Sequence, residues 1–179
     1  MCLVNGNIEP VVAPKKKRAA AAEDTRDVVV FKIADMSCGV PIEVVQEIDR
    51  LLPIYPVRHS PAYVRGVINL RGEIVTVVDL RKKFCLPPND LNSVMRIILV
   101  NSEDERVGFL VDAVDDIVRT SALHVAAPPA HLEKSVRRYV TGVLETNEKL
   151  FSLLDVKKLV KEDELAMSSE VSAMGDSHV

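Results

Sequence analysis

The sequence predicts an all-β protein built as two similar five-stranded barrels packed together. Three observations predict it. The stretch Gly66-Val-Ile-Asn-Leu-Arg-Gly-Glu-Ile-Val-Thr-Val-Val-Asp-Leu80 returns as Gly142-Val-Leu-Glu-Thr-Asn-Glu-Lys-Leu-Phe-Ser-Leu-Leu-Asp-Val156, with Gly66, Val67 and Asp79 meeting Gly142, Val143 and Asp155, each 76 positions on. An earlier block, Gly39-Val-Pro-Ile-Glu-Val-Val-Gln-Glu-Ile48, matches Gly108-Phe-Leu-Val-Asp-Ala-Val-Asp-Asp-Ile117 at an offset of 69. Two blocks in the same order mark an internal repeat, and the difference of seven places an insertion in the second copy, around Ala126 to His131. Finally, about ten short aliphatic runs are separated by turn residues, a pattern that favours small barrels over an α/β sheet.

Residues 1–26 have no core-forming period and read as a flexible tail. Within them, Pro14-Lys-Lys-Lys-Arg18 fits a nuclear import signal, a basic phosphate-binding arm or a solvated terminal run. Val28 to Ile33 and Gly39 to Ile42 are strands around the Asp35-Met-Ser turn, and Val44 to Leu52 alternates apolar with polar. Pro53, Pro56 and Pro61 mark an extended link. Gly66 to Leu70 and Ile74 to Val78 are β-branched runs broken by Arg71-Gly72, the outline of a hairpin. Asp79 is placed to cap a short helix, Leu80 to Phe84, which Pro87-Pro88 ends.

The second copy repeats the plan. Strands are expected at Arg96 to Val100, Val107 to Val111, Asp116 to Thr120, Gly142 to Thr146 and Leu150 to Leu154, then a helix from Asp155 to Val160. A barrel over about 27–92 and another over about 93–162 follow, with strands free to be exchanged between them, and residues 163–179 form a second tail. Half the repeat alone would bury only about 60% of its unfolded surface, so the two units should share an interface.

Composition excludes several classes. A net charge of −3 and a pI near 5.8, with 4% aromatics and no Trp, provide neither the basic groove nor the stacking residues of a nucleic-acid-binding barrel. Cys2, Cys38 and Cys85 are odd in number and widely spaced, which reads as reduced thiols of a cytosolic protein. No apolar run reaches the ~18–20 residues of a membrane span, and the N-terminus lacks a signal-peptide pattern. The tails are too short for an additional receiver domain, which needs at least ~50 residues.

Chemistry-bearing motifs are missing. Glu73 stands where a phosphate loop needs Lys. His59, His124, His131 and His178 are scattered, and Asp112, Asp115 and Asp116 lack the rest of a calcium loop and read as the solvated side of a strand. No catalytic residue, metal or cofactor is expected. Gly72, Gly142 and Asn147 are the turn formers, Asn147 standing at the twin position of Arg71. Since Gly72 can supply the positive φ, Arg71 fits two roles equally: a guanidinium presented to a partner, or a solvated surface arginine.

These residues resemble a known family. Gly39-Val-Pro-Ile42, Val45-Gln-Glu-Ile48, Pro61-Ala-Tyr-Val64 and above all Gly66-Val-Ile-Asn-Leu-Arg-Gly72 with Val77-Val-Asp-Leu-Arg81 are similar to the CheW family of chemotaxis coupling proteins, over about residues 27–162. The resemblance implies two SH3-like or OB-like five-stranded barrels with short helices after each and at the C-terminus. It also implies a non-enzymatic cytoplasmic adaptor, recruited to receptor arrays at the membrane. Its partners would be the cytoplasmic tip of a methyl-accepting chemoreceptor, the regulatory domain of the kinase CheA, and other copies in rings. Carried over by motif, Val45, Glu47, Gly66, Asn69 and Arg71 would lie in or beside the receptor-contacting region. An equivalent adaptor of a non-flagellar pathway fits the same residues.

Overall fold

The structure, a computed structural model, describes residues 25–121, 125–146 and 149–161. Asn147, His124, His178, Cys2, the basic run and nearly all of both expected tails lie outside these residues. Among the described residues, eleven strands form two sheets, and the all-β, two-unit architecture expected from the repeat is what is seen. In chain order they are β1 (Thr25–Ile33), β2 (Met36–Pro41), β3 (Val45–Arg50), β4 (Val64–Leu70), β5 (Glu73–Asp79), β6 (Arg96–Ser102), β7 (Glu105–Val111), β8 (Ala113–Ser121), β9 (Val125–Ala126), β10 (Val140–Thr146) and β11 (Lys149–Leu154). The short helices are α1 (Leu80–Lys83), α2 (Lys134–Arg137) and α3, residues 156–161.

The six-stranded sheet runs β8-β1-β2-β11-β10-β9 and the five-stranded sheet β3-β6-β7-β5-β4. Each therefore combines the first hairpin of one copy with the remaining strands of the other. In the ladder, β5 pairs parallel with β7 at Thr76↔Val107, and β11 pairs parallel with β2 at Ser152↔Cys38, which are the same positions under the two repeat offsets. Even the irregularities repeat. A bulge in β3 between Val45 and Glu47 has its counterpart opposite β8, where Val30 and Phe31 face Asp116 and Val114. The boundary near residue 92 thus marks the repeat and not the sheets.

The insertion is divided. Tyr55 bridges Val67 as Ala126 pairs with Val143, an offset of 71 for the link. Two of the seven extra residues therefore precede β9, and five lie between β9 and β10. There they form α2, an element without a counterpart in the first copy, which buries Val136 in the core.

A central core draws on both sheets, including Phe31, Val40, Val78, Ile98 and Phe109, with Leu80, Phe84 and Leu159 from the helices. Each such side chain contributes about 1.5–3 kcal/mol by leaving water. A second cluster fills the five-stranded unit and a smaller one the six-stranded unit. Both aspartates cap as the repeat implies: Asp79 accepts from Lys82 N at 3.3 Å and Asp155 from Lys158 N at 3.2 Å.

Lys83 lies where the two copies meet. Its buried ammonium donates to the Leu159 carbonyl at 2.7 Å, and Leu159 occupies the repeat position of Lys83 itself. The same Nζ lies 4.3 Å from the ring centroid of Tyr63 and 5.7 Å from that of the twin Tyr139. Lys83→Met keeps the apolar stem and removes these contacts. It should lower stability by about 1–3 kcal/mol by leaving a buried carbonyl unpaired, measured by urea unfolding.

Candidate partner-binding surface

The register Leu70↔Glu73 leaves Arg71-Gly72 as a two-residue hairpin loop, with φ of 53° and 91°. Two positive φ values are what a type I′ turn requires, because its twist matches that of the strands. Gly72 was expected to supply this conformation alone. Arg71 adopts it as well, at a cost of about 1–2 kcal/mol for a residue with a Cβ. Asn69 supports the loop, its Oδ1 accepting from Gly72 N at 2.9 Å.

The Arg71 side chain is 76% exposed, and its Nη2 lies 2.6 Å from Glu47 Oε1. Glu47 belongs to β3 and Arg71 adjoins β4, the two edge strands of the five-stranded sheet. An ion pair between opposite edges means that the sheet rolls until its margins meet, which is how a barrel closes. Beside it, Arg106 at the start of β7 donates from Nε to Gln46 Oε1 at 2.6 Å and pairs with Glu73. The bulge, the hairpin tip and β7 are thus joined by charged groups at one end of the unit.

The other expected residues divide. Val45 is half-buried, opposite Val100, and packs on the central core. Gly66 is buried at φ 146°, and a Cβ there would sit 2.2 Å from the Tyr55 carbonyl oxygen. It allows the proline-rich link to cross the hairpin and presents no group to a partner. Glu47, Asn69 and Arg71 come together at the tip. Ile74 was missed: it pairs with Asn69 and is 68% exposed, on the face that also carries Val67 and its bridge partner Tyr55. The run Ile-Val-Thr-Val-Val does not alternate, so the sequence carries no signal of which side faces water.

Asp112 corrects another expectation. It is not solvated: it accepts Arg81 Nε at 2.8 and 2.9 Å, with both side chains largely buried. This bond raises the Arg81 pKa above its ordinary value. Asp112 Oδ2 also accepts from Ala34 N at 2.6 Å, holding the β1–β2 turn where Ala34 has φ 54°. Asp115 and Asp116 are exposed. Burial pushes the Cys38 thiol up to about 12, so it stays neutral and inert. Among the described residues, no helix is long and apolar enough to cross a membrane.

A family model for the CheW-like domain matches residues 27–164. The chemotaxis protein CheW of Rhizobium meliloti is 31% identical over 139 residues, covering 78% of this chain and 90% of that protein. Protein FrzA of Myxococcus xanthus is 25% identical over 152 residues, covering 84% and 94%. The scaffolding protein TtCheW from Thermoanaerobacter tengcongensis has a similar solved structure, with a TM-score of 0.68 and 28% identity over 75% of this chain and 86% of that one.

Proposed function

Because the chain belongs to the CheW-like domain family, a family of non-catalytic adaptors, we propose that it couples a methyl-accepting chemoreceptor to the histidine kinase CheA in bacterial chemotaxis. The family match across both sheets carries this reading. The receptor's cytoplasmic tip docks on the five-stranded unit, where Glu47, Asn69 and Arg71 provide polar contacts and Ile74 an apolar one. The kinase's regulatory domain and neighbouring copies use other exposed barrel faces, and the protein is recruited in this way to arrays at the membrane. Individual contacts of about 1 μM, near −8 kcal/mol, suffice where many links act together. The likeness to FrzA favours one second reading, an adaptor of a non-flagellar pathway using the same surface. Which receptor co-purifies with the protein decides between them.

The test is a pull-down of a receptor cytoplasmic fragment and the kinase, using wild type and Ile74→Asp. The Ile74 side chain is exposed, so the variant should melt within about 0.5 kcal/mol of wild type. Receptor capture should fall at least about tenfold, as for an interface anchor. Full capture by Ile74→Asp would remove this face from the receptor site.

A further inference from the structure

A residue that touches its own counterpart in the other copy lies on the axis relating the two copies. Lys83 does so: its Nζ donates at 2.7 Å to the carbonyl of Leu159, 76 positions on. The rings beside it are a second such pair, Tyr63 and Tyr139, with centroids 4.3 and 5.7 Å from the same Nζ. Lys83 and Leu159 are both buried. One enclosed cage on the axis thus holds a lysine from the first copy and a leucine from the second. A second charged contact between the copies, Arg81 with Asp112, is indifferent to which copies meet. Its counterparts are Lys157 and Glu43, again of opposite charge. Only the Lys83 cage distinguishes like copies from unlike ones.

The topology makes that distinction matter. Each copy lends its first hairpin to the sheet of the other, β5 pairing with β7 and β11 with β2. The same exchange is open to two chains, first copy with first copy and second with second, if the link between α1 and β6 crosses from one molecule to the other. Most of that link, residues 87–94, is exposed. In such a crossed dimer one cage would contain Lys83 of both chains, and the other Leu159 of both. Two ammoniums stripped of water in one site repel, and the Leu159 carbonyls in the other cage lose their donor. With leucine at both positions the two ammoniums would be gone from the crossed dimer. We propose that Lys83 sets the partner of each copy, making the two copies of one chain pair with each other and keeping two chains from exchanging halves. A single buried polar residue fixes register and partner number in coiled coils in the same way. This role does not depend on the coupling function.

Full-length chain is unfolded in urea and refolded with reductant at about 5 μM and about 1 mM, because halves joined by a short link meet at about millimolar effective concentration. Samples are sized by light scattering after dilution to about 0.1 μM, where surface contacts of about 1 μM separate and a crossed dimer, which must unfold to come apart, persists. Wild type should be monomeric after refolding at either concentration. Lys83→Leu should give at least about tenfold more dimer than wild type at the higher one. Lys83→Met should do the same if Lys83→Leu does not fold. Combining Lys83→Leu with Leu159→Lys sets one lysine opposite one leucine again and should return the monomer. The crossing itself is read from a thiol. Thr76 faces Val107, whose counterpart is Cys38, so Thr76→Cys puts a thiol opposite Cys38 of the second chain only in the crossed dimer. With Cys2→Ser and Cys85→Ser, refolding in oxidised glutathione should join Lys83→Leu chains covalently and leave chains with Lys83 unjoined. Monomeric Lys83→Leu and Lys83→Met overturn the proposal. So does a dimer without the interchain disulfide, or one that the exchange with Leu159→Lys leaves intact.

Discussion

Gly66→Ala is expected to lower the stability of the fold by about 3 kcal/mol or more. Two effects combine at this position. The backbone has φ 146°, where a residue with a Cβ is strained, and that Cβ would lie 2.2 Å from the Tyr55 carbonyl oxygen and 2.9 Å from Ile54 Cγ2. The obstacle is backbone held by its own ladder, since Tyr55 N and O each bond Val67 at 2.8 Å. The link cannot move aside without losing both bonds. For a chain of this length the melting temperature should fall by about 6–12 °C. The twin position offers an internal control: at Gly142 the new Cβ meets Val125 Cγ1 first, at 2.2 Å, and a half-exposed valine side chain can turn away. Gly142→Ala should therefore cost less, by about 1 kcal/mol or more. Equal melting temperatures for wild type and Gly66→Ala would remove the steric account. With the expected fall in melting temperature, loss of coupling in Gly66 variants reports damaged shape and no lost contact.

Arg71→Glu should separate function from stability in the opposite way. The Glu47–Arg71 pair is largely solvent-exposed, and such pairs contribute about 0–1 kcal/mol. Unfolding should therefore shift by about 1 kcal/mol at most. Receptor capture and receptor control of the kinase should fall at least about tenfold, since a guanidinium on a rigid tip is replaced by the opposite charge. Arg71→Gly sharpens the point by relieving a left-handed residue, offsetting the lost bridge. It should be as stable as wild type yet equally impaired in capture. The exchange variant Arg71→Glu with Glu47→Arg rebuilds the bridge with reversed polarity. If the guanidinium itself touches the receptor, the exchange stays impaired. Restored capture would mean that the bridge only holds the barrel closed, and Arg71 would leave the contact surface.

The sequence carried a good deal of this. Tyr63, Asp79 and Gly66 with their twins at Tyr139, Asp155 and Gly142 announced a duplicated strand unit, because hairpins and caps are local and depend on neighbouring residues. The motif around Asn69 to Gly72 located the hairpin turn for the same reason. Other features depend on groups far apart in the chain. Asp112 looked solvated from its acidic neighbours, but Arg81 and the Ala34 turn reach it from other elements. Ile74 and Val75 are alike in chemistry and opposite in exposure, and only the closed sheet distinguishes them.

Residue order alone determined the all-strand character, the twofold repeat, the capping aspartates and the family, since each is written in spacing and residue type. Only the tertiary structure decided that the copies trade their first hairpins, and that Arg71 shares the left-handed turn and meets Glu47. Those outcomes depend on which side chains come within a few ångströms across the chain, and long-range packing has no local signature in sequence.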